Sequence, residues 1–186
     1  MREEHMRTVS TEGIVLKRMN VGEADRFVTI FTRDLGKISA LAKGVRKITS
    51  SRSAALEPGT HTKLLLSRSH ETFIVSQAQV IDAFSRAKET LAGAKQVMQV
   101  LEIVDAVMVE EEQQDVFDDV LHILREVDKT HSVRSVVTKT LTTMLQRLGF
   151  QDMRDTPYAT ITEYVEFIAE KKMKSYPYLT VKTSQT

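Results

Sequence analysis

The sequence predicts an α+β protein in two parts, a small β-barrel over residues 1–82 and an α-helical bundle over 83–186, and three observations predict it. Short β-branched and apolar runs bounded by glycine or proline fill the chain from Thr8 to Ala83, after which apolar residues recur at helical spacing. The charge divides at nearly the same place: Arg7 to Arg86 holds 13 basic and 7 acidic residues, Ala87 to Asp128 holds 3 and 11, and Lys129 onward holds 9 and 5. The net charge of +1 is thus an average over opposed segments, a basic module followed by an acidic helical one. Finally, 186 residues of which 41% are apolar and 27% charged suffice for one ordinary domain or for two small units that each bury a modest core, and the first two observations choose the second.

The strands follow in order. Thr11 to Lys17 and Phe27 to Thr32 are the first two, and Lys37 to Ala42 is the third, joined to the second through Arg33-Asp34-Leu35-Gly36 as a hairpin. A polar, Ser- and Arg-rich loop comes after Gly44, then one helical turn at Ser53 to Leu56, stopped by Pro58-Gly59. Thr60 to Ser67 and Thr72 to Ala78 complete five strands, which fit a Greek-key barrel of the OB-fold type; an SH3-like barrel satisfies the same periodicity.

The first helix carries Phe84, Ala87, Leu91, Ala94, Met98, Leu101, Val104 and Met108 at core spacing and ends in Glu110-Glu111-Glu112. The second carries Val116, Phe117, Val120, Leu121 and Leu124. The third carries Val133, Val136, Val137, Leu141, Met144, Leu145 and Leu148, with Gly149 as its C-terminal glycine. Thr160 to Glu163 is a capping box for a fourth helix reaching Met173. Met98, Met108 and Met144 read as packing residues.

Several chemistries lack their residues. With no cysteine there is neither thiol catalysis nor a zinc ribbon. Gly36-Lys37 is followed by Ile38 and has Phe31 where a P-loop needs its first glycine. HExxH and GxSxG are missing, and His5, His61, His70, His122 and His131 are scattered. The acidic pair Asp118-Asp119 and the run Glu110 to Glu112 read as a solvated helix end, because consecutive helical carboxylates point in different directions. No catalytic site, metal or cofactor is therefore predicted. No apolar run is long enough to span a bilayer and the first residues, MREEHMRTVS, are unlike a signal peptide, so a cytoplasmic protein is expected.

One feature points to a ligand. Leu35 to Arg52 contains Lys37, Lys43, Arg46, Lys47 and Arg52 and no acid, with Lys17, Arg18, Arg26 and Arg33 nearby in sequence. Edge lysines that guard a sheet against pairing are the bland explanation. A turn-rich basic loop beside strands fits a phosphate backbone better. Phe27, Phe31 and Phe73 are the available base platforms, so phosphate contacts should dominate and sequence preference should be weak.

Glu12-Gly13-Ile14-Val15-Leu16-Lys17, Gly22-Glu23-Ala24-Asp25-Arg26, Leu35-Gly36-Lys37, Ala42-Lys43-Gly44-Val45-Arg46-Lys47, Leu56-Glu57-Pro58 and Gln77-Ala78 together resemble the N-terminal half of the bacterial RecO recombination mediators. The resemblance implies an N-terminal OB-fold and a helical domain. It also implies binding of single- and double-stranded DNA, annealing of complementary strands, and work with RecR to load RecA onto strands covered by single-strand-binding protein. That protein would be engaged through its acidic C-terminal tail at the helical domain. DNA contact carries over to Arg26, Lys37, Lys43, Arg46, Lys47 and Arg52, with Glu23 and Asp25 as loop-bracing partners of Arg26. The zinc segment of many relatives does not carry over, since Gln151 to Thr160 is short and has no cysteine; Lys172 to Leu179 again resembles the family's closing helix. A shortened, zinc-less member is expected. An RNA-binding OB module and a pure protein adaptor remain as alternatives on the residues alone.

Overall fold

The computed structural model describes residues 8–69, 72–108, 114–129 and 134–174. These divide into two compact units, the first ending at Ala83 and the second beginning at Phe84.

The first unit is built from β1 (Thr8–Val21), β2 (Asp25–Thr32), β3 (Gly36–Ala42), β4 (His61–Ser69) and β5 (Thr72–Asp82), with a 3₁₀ turn at Ala54–Leu56. Alternation dictates which side chains point inward. Val28 and Ile30 of β2, Ile38, Ala40 and Ala42 of β3, Leu64 and Leu66 of β4, and Val75 and Ala78 of β5 form one core, closed at one end by Val45, Ala55 and Leu56. The strands close in the order β1-β2-β3-β5-β4. All pairs are antiparallel except β3 and β5, which run parallel at Ala40↔Phe73 and Leu41↔Ile74. This is the OB-fold, and the SH3-like alternative falls away.

The β2–β3 hairpin forms where the sequence placed it, pairing Thr32 with Gly36. The Thr32 hydroxyl donates to the Gly36 carbonyl at 2.8 Å and accepts from the Leu35 N–H at 3.0 Å, which fixes the turn. β1 and β5 are longer than alternation alone suggests, because bulges interrupt them. Val15 pairs with Ile30 but Lys17 pairs with Thr29, leaving Leu16 as the extra residue. The bulge lets Leu16 be buried directly after the core residue Val15.

The second unit contains α1 (Ser85–Lys88), α2 (Leu91–Val107), α3 (Gln114–Lys129), α4 (Arg134–Arg147) and α5 (Ile161–Ile168), with a 3₁₀ turn at Met153–Asp155. Phe117, Val120, Leu121, Leu124, Val137, Leu141, Met144 and Leu145 are buried as their spacing predicts. Gly149 ends α4: its N–H donates to Gln146 and the Phe150 N–H to Leu145. Asp128 of α3 accepts from the Ala87 N–H at 2.9 Å, and Gln99 of α2 donates to Thr162 of α5 at 2.8 Å.

Two helix expectations are corrected. The continuous helix from Ala83 breaks at Thr90, whose hydroxyl caps α2 by accepting from the Gly93 N–H at 3.1 Å. Gly93 permits the break, since a Cβ there would lie 2.1 Å from the Ala87 carbonyl oxygen. The change of axis turns Leu91 and Met98 outward, to 72% and 49% exposure, so neither is a core residue. The fourth predicted helix has its capping box but stops at Ile168 instead of Met173. There the Glu170 N–H donates to Phe167 and the Lys171 N–H to Glu166, a left-handed C-terminal turn made without glycine. The Glu166 carboxylate then accepts from the Met173 N–H at 2.8 Å and pairs with Lys172 at 3.0 Å, which holds it below the usual carboxylate range. Val133, the Glu110 to Glu112 run, and Ser175 to Leu179 of the proposed closing helix lie outside the described residues, as do His5, His70 and His131.

Candidate nucleic-acid interface

The outward positions of the first three strands are fixed by the inward ones. With Val28, Ile30 and Ala40 inside, Phe27, Thr29 and Ser39 face out, and register places Met19 opposite Phe27 and Lys17 opposite Thr29. Lys17, Arg18, Met19, Phe27, Thr29 and Ser39 line a groove of about 560 Å³. Met19 is 62% exposed and Phe27 half-buried, so the floor is apolar and one margin is basic.

Beside this groove the loop after β3 is fastened to the β1–β2 turn. Gly44 has φ +66°, and its N–H donates to Asp25 Oδ1 at 2.7 Å. The Arg46 N–H donates to the Ala24 carbonyl at 2.9 Å, and its guanidinium Nη1 to the Gly22 carbonyl at 3.0 Å. The Lys47 N–H donates to Gly44 and the Ser50 N–H to Lys47. Arg52 ties the loop's far end: Nη1 donates to the Val75 carbonyl at 2.6 Å and Nη2 to the Lys43 carbonyl at 2.7 Å. The result is a braced loop that holds Lys43, Arg46 and Lys47 in solvent.

The nine cations singled out in the sequence therefore have different situations. Lys43, Arg46 and Lys47 cluster on the loop, and Lys17 lies on the groove margin. Arg18 and Arg26 converge on one carboxylate, Glu57, at 3.1 and 3.0 Å, and Arg26 also donates to Asn20 Oδ1 at 3.2 Å. Arg26 keeps only 12% of its side chain exposed and Arg52 is spent on two carbonyls, so both act first as braces. Arg33 and Lys37 sit at the opposite end of the β2–β3 hairpin, about 20 Å along β3 from Lys43 by the strand rise. Arg33 faces Glu12 at 3.6 Å, and that carboxylate also meets His61 Nε2 at 3.1 Å.

Three residues escaped the sequence reading. Glu57 is the carboxylate that positions Arg26; the expected partner Asp25 instead holds Gly44. Met19 supplies apolar groove surface, signalled only by its alternation with Lys17. Arg68 stacks its guanidinium 5.6 Å from the Phe73 ring centroid. Of the three aromatic candidates, Phe31 is completely buried, Phe73 packs partly against the barrel core, and Phe27 alone lines the groove. Among the described residues no group of three or more His, Asp or Glu could hold a metal ion, and no helix is long and apolar enough to cross a membrane.

A sequence model of the family described as "Recombination protein O N terminal" matches residues 6–84, the stretch that contains the barrel. Several curated proteins named "DNA repair protein RecO" are similar to the chain. That of Acetivibrio thermocellus is 32% identical over 145 residues, 75% of this chain and 58% of the relative. That of Roseiflexus is 32% identical over 146 residues, 78% and 51% respectively, and that of Heliobacterium modesticaldum is 35% identical over 112 residues, 60% and 41%. The chain thus spans about half the length of the relatives it matches. The stretch from residue 6 to 84 thus belongs to the RecO N-terminal family, and the similarity to the named RecO proteins extends beyond it.

Proposed function

We propose that this protein is a DNA repair and recombination mediator that works without bond-breaking chemistry. The barrel binds single- and double-stranded DNA along the braced loop and the adjoining groove, and it anneals complementary strands. Neutralising two backbones on one basic surface lowers their repulsion, so that bases can meet. The observation that carries this reading is the braced, acid-free loop presenting Lys43, Arg46 and Lys47 beside a groove floored by Met19 and Phe27. The relatives' name, DNA repair protein RecO, supports it.

In this reading residues 1–82 are the DNA-binding domain and 83–186 the domain that meets protein partners. Those partners are RecR and the acidic C-terminal tail of single-strand-binding protein, with RecA loaded indirectly, in the bacterial cytoplasm. An apolar surface supports partner docking on the helices: Phe167 is 62% exposed and its ring lies 5.2 Å from that of Tyr158.

The test is annealing of complementary oligonucleotides across a salt series, with and without single-strand-binding protein. Acceleration that weakens with salt and drops when Arg46 and Lys47 are both changed to glutamate supports the proposal. Unchanged salt-sensitive binding in that variant would remove the loop from the site. Preference for RNA of the same sequence would favour an RNA-binding module, and capture of the acidic tail without affinity for DNA at low salt would favour an adaptor.

A further inference from the structure

Ile48 stands on the braced loop, next to Lys47, with its side chain fully exposed. Single exposed apolar residues are common and ordinarily call for no explanation. This one is distinguished by its support and its surroundings. The backbone on both sides is held by the Lys47-to-Gly44 and Ser50-to-Lys47 hydrogen bonds and by Arg46 on the β1–β2 turn, so the loop cannot simply fold Ile48 back against the barrel. The loop's charges around it, Lys43, Arg46 and Lys47, are all positive and exposed. A ligand for this loop must offer negative charge and an apolar surface within a side chain's length of each other.

A nucleic-acid strand meets both conditions, since its phosphates flank the flat faces of its bases. We propose that Ile48 is a wedge, placed against or between adjacent bases while the neighbouring cations hold the phosphates. This rests on the DNA-binding reading given above and adds a base-contacting residue to it. The barrel needs such a residue because Phe27 is the only one of its three candidate aromatic platforms that lines the groove. Splaying two neighbouring bases would expose their pairing edges to a second strand, which gives an annealing surface a way to begin pairing.

The experiment uses the full chain and oligonucleotides carrying 2-aminopurine at an internal position, whose fluorescence rises when the base is unstacked. Wild type should bind with a salt-dependent affinity and raise the fluorescence. Ile48→Ser should keep the thermal midpoint and the salt slope, lose most of the fluorescence rise, and bind about five- to tenfold more weakly, the worth of an aliphatic side chain about half-buried against the bases. Ile48→Met should restore the rise. An Ile48→Ser protein with undiminished fluorescence would overturn the wedge and leave the cationic site standing, whereas failure of wild type to bind DNA at low salt would overturn both. Anionic phosphatidylserine vesicles, which also combine negative charge with an apolar interior, form the second arm. Binding to vesicles that depends on Ile48, with no change in 2-aminopurine signal, would assign the residue to membrane contact instead.

Discussion

Replacing Lys43 and Lys47 together by alanine tests the electrostatics quantitatively. Both side chains are exposed, and neither ammonium is among the braces that hold the loop, which are backbone groups and the Arg46, Arg52 and Asp25 side chains. If Lys43, Arg46 and Lys47 each neutralise one phosphate of a single strand, the slope of log affinity against log salt is about −0.7 per contact, or about −2.1 in total. Between 50 and 200 mM salt, wild-type affinity should then fall about 20-fold. The double variant keeps one contact and a slope of about −0.7, so its affinity should fall only about threefold over the same range. Taking the curves to meet at 1 M salt, the variant binds about 70-fold more weakly at 50 mM and about tenfold more weakly at 200 mM. Fluorescence anisotropy of a labelled oligonucleotide over a salt series reads both quantities. Lys139→Ala, at an exposed position on α4, is the matched control. A double variant with the wild-type slope would refute the loop as the phosphate site, as would an equal loss in the control.

Other consequences follow from particular contacts. Glu57→Gln releases Arg18 and the largely buried Arg26 from their shared carboxylate, so the thermal midpoint should fall by an amount corresponding to about 1 kcal/mol while DNA affinity at low salt does not fall. Gly93→Ala should destabilise the helical unit, against the gain of about 1 kcal/mol that helix propensity alone would give, because the new Cβ would meet the Ala87 carbonyl oxygen; urea unfolding fixes the sign. Asp152 is held down to about 2, chiefly by its hydrogen bond from the Arg154 side chain and then by the Arg154 N–H. Its folded value lies below its ordinary 3.8, so its contribution is complete above 3.8 and is lost as pH falls toward 2. Asp152→Asn should flatten that part of the curve of thermal midpoint against pH.

The barrel was legible because its signals are local. Alternation picks out Val28, Ile30, Ile38 and Ala40 as one face, and Gly36 and Pro58-Gly59 mark the turns between strands. The capping box at Thr160 and the glycine at Gly149 are likewise read from neighbouring residues. What escaped depends on chain segments far apart in sequence. Glu57 meets Arg26 across 31 residues, so no spacing rule identifies it as the anchor. The break at Thr90 is hidden because apolar residues continue in helical phase through it, and only the approach of Ala87 to Gly93 shows why the axis turns. The stop after Ile168 uses Glu170 where glycine is the usual marker, so composition carries no warning. In the candidate site the run of charge on Lys43, Arg46 and Lys47 is plain in the sequence, and these three cations are exposed on the loop. The sequence could not separate cations that face solvent from Arg26 and Arg52, whose guanidinium groups brace the loop and the strands beside it, and it gave no sign that Ile48 is left uncovered.

The most direct test of the central claim is to map backbone amide shifts of isotopically labelled protein as a short single-stranded oligonucleotide is added. A DNA site on the braced loop and groove predicts the largest changes at Gly44 to Ser50, Lys17 to Met19 and Phe27, fading together as salt rises. Changes confined to the Arg33–Lys37 end of the hairpin, or to α2 and α5, with the loop amides unmoved, would contradict it.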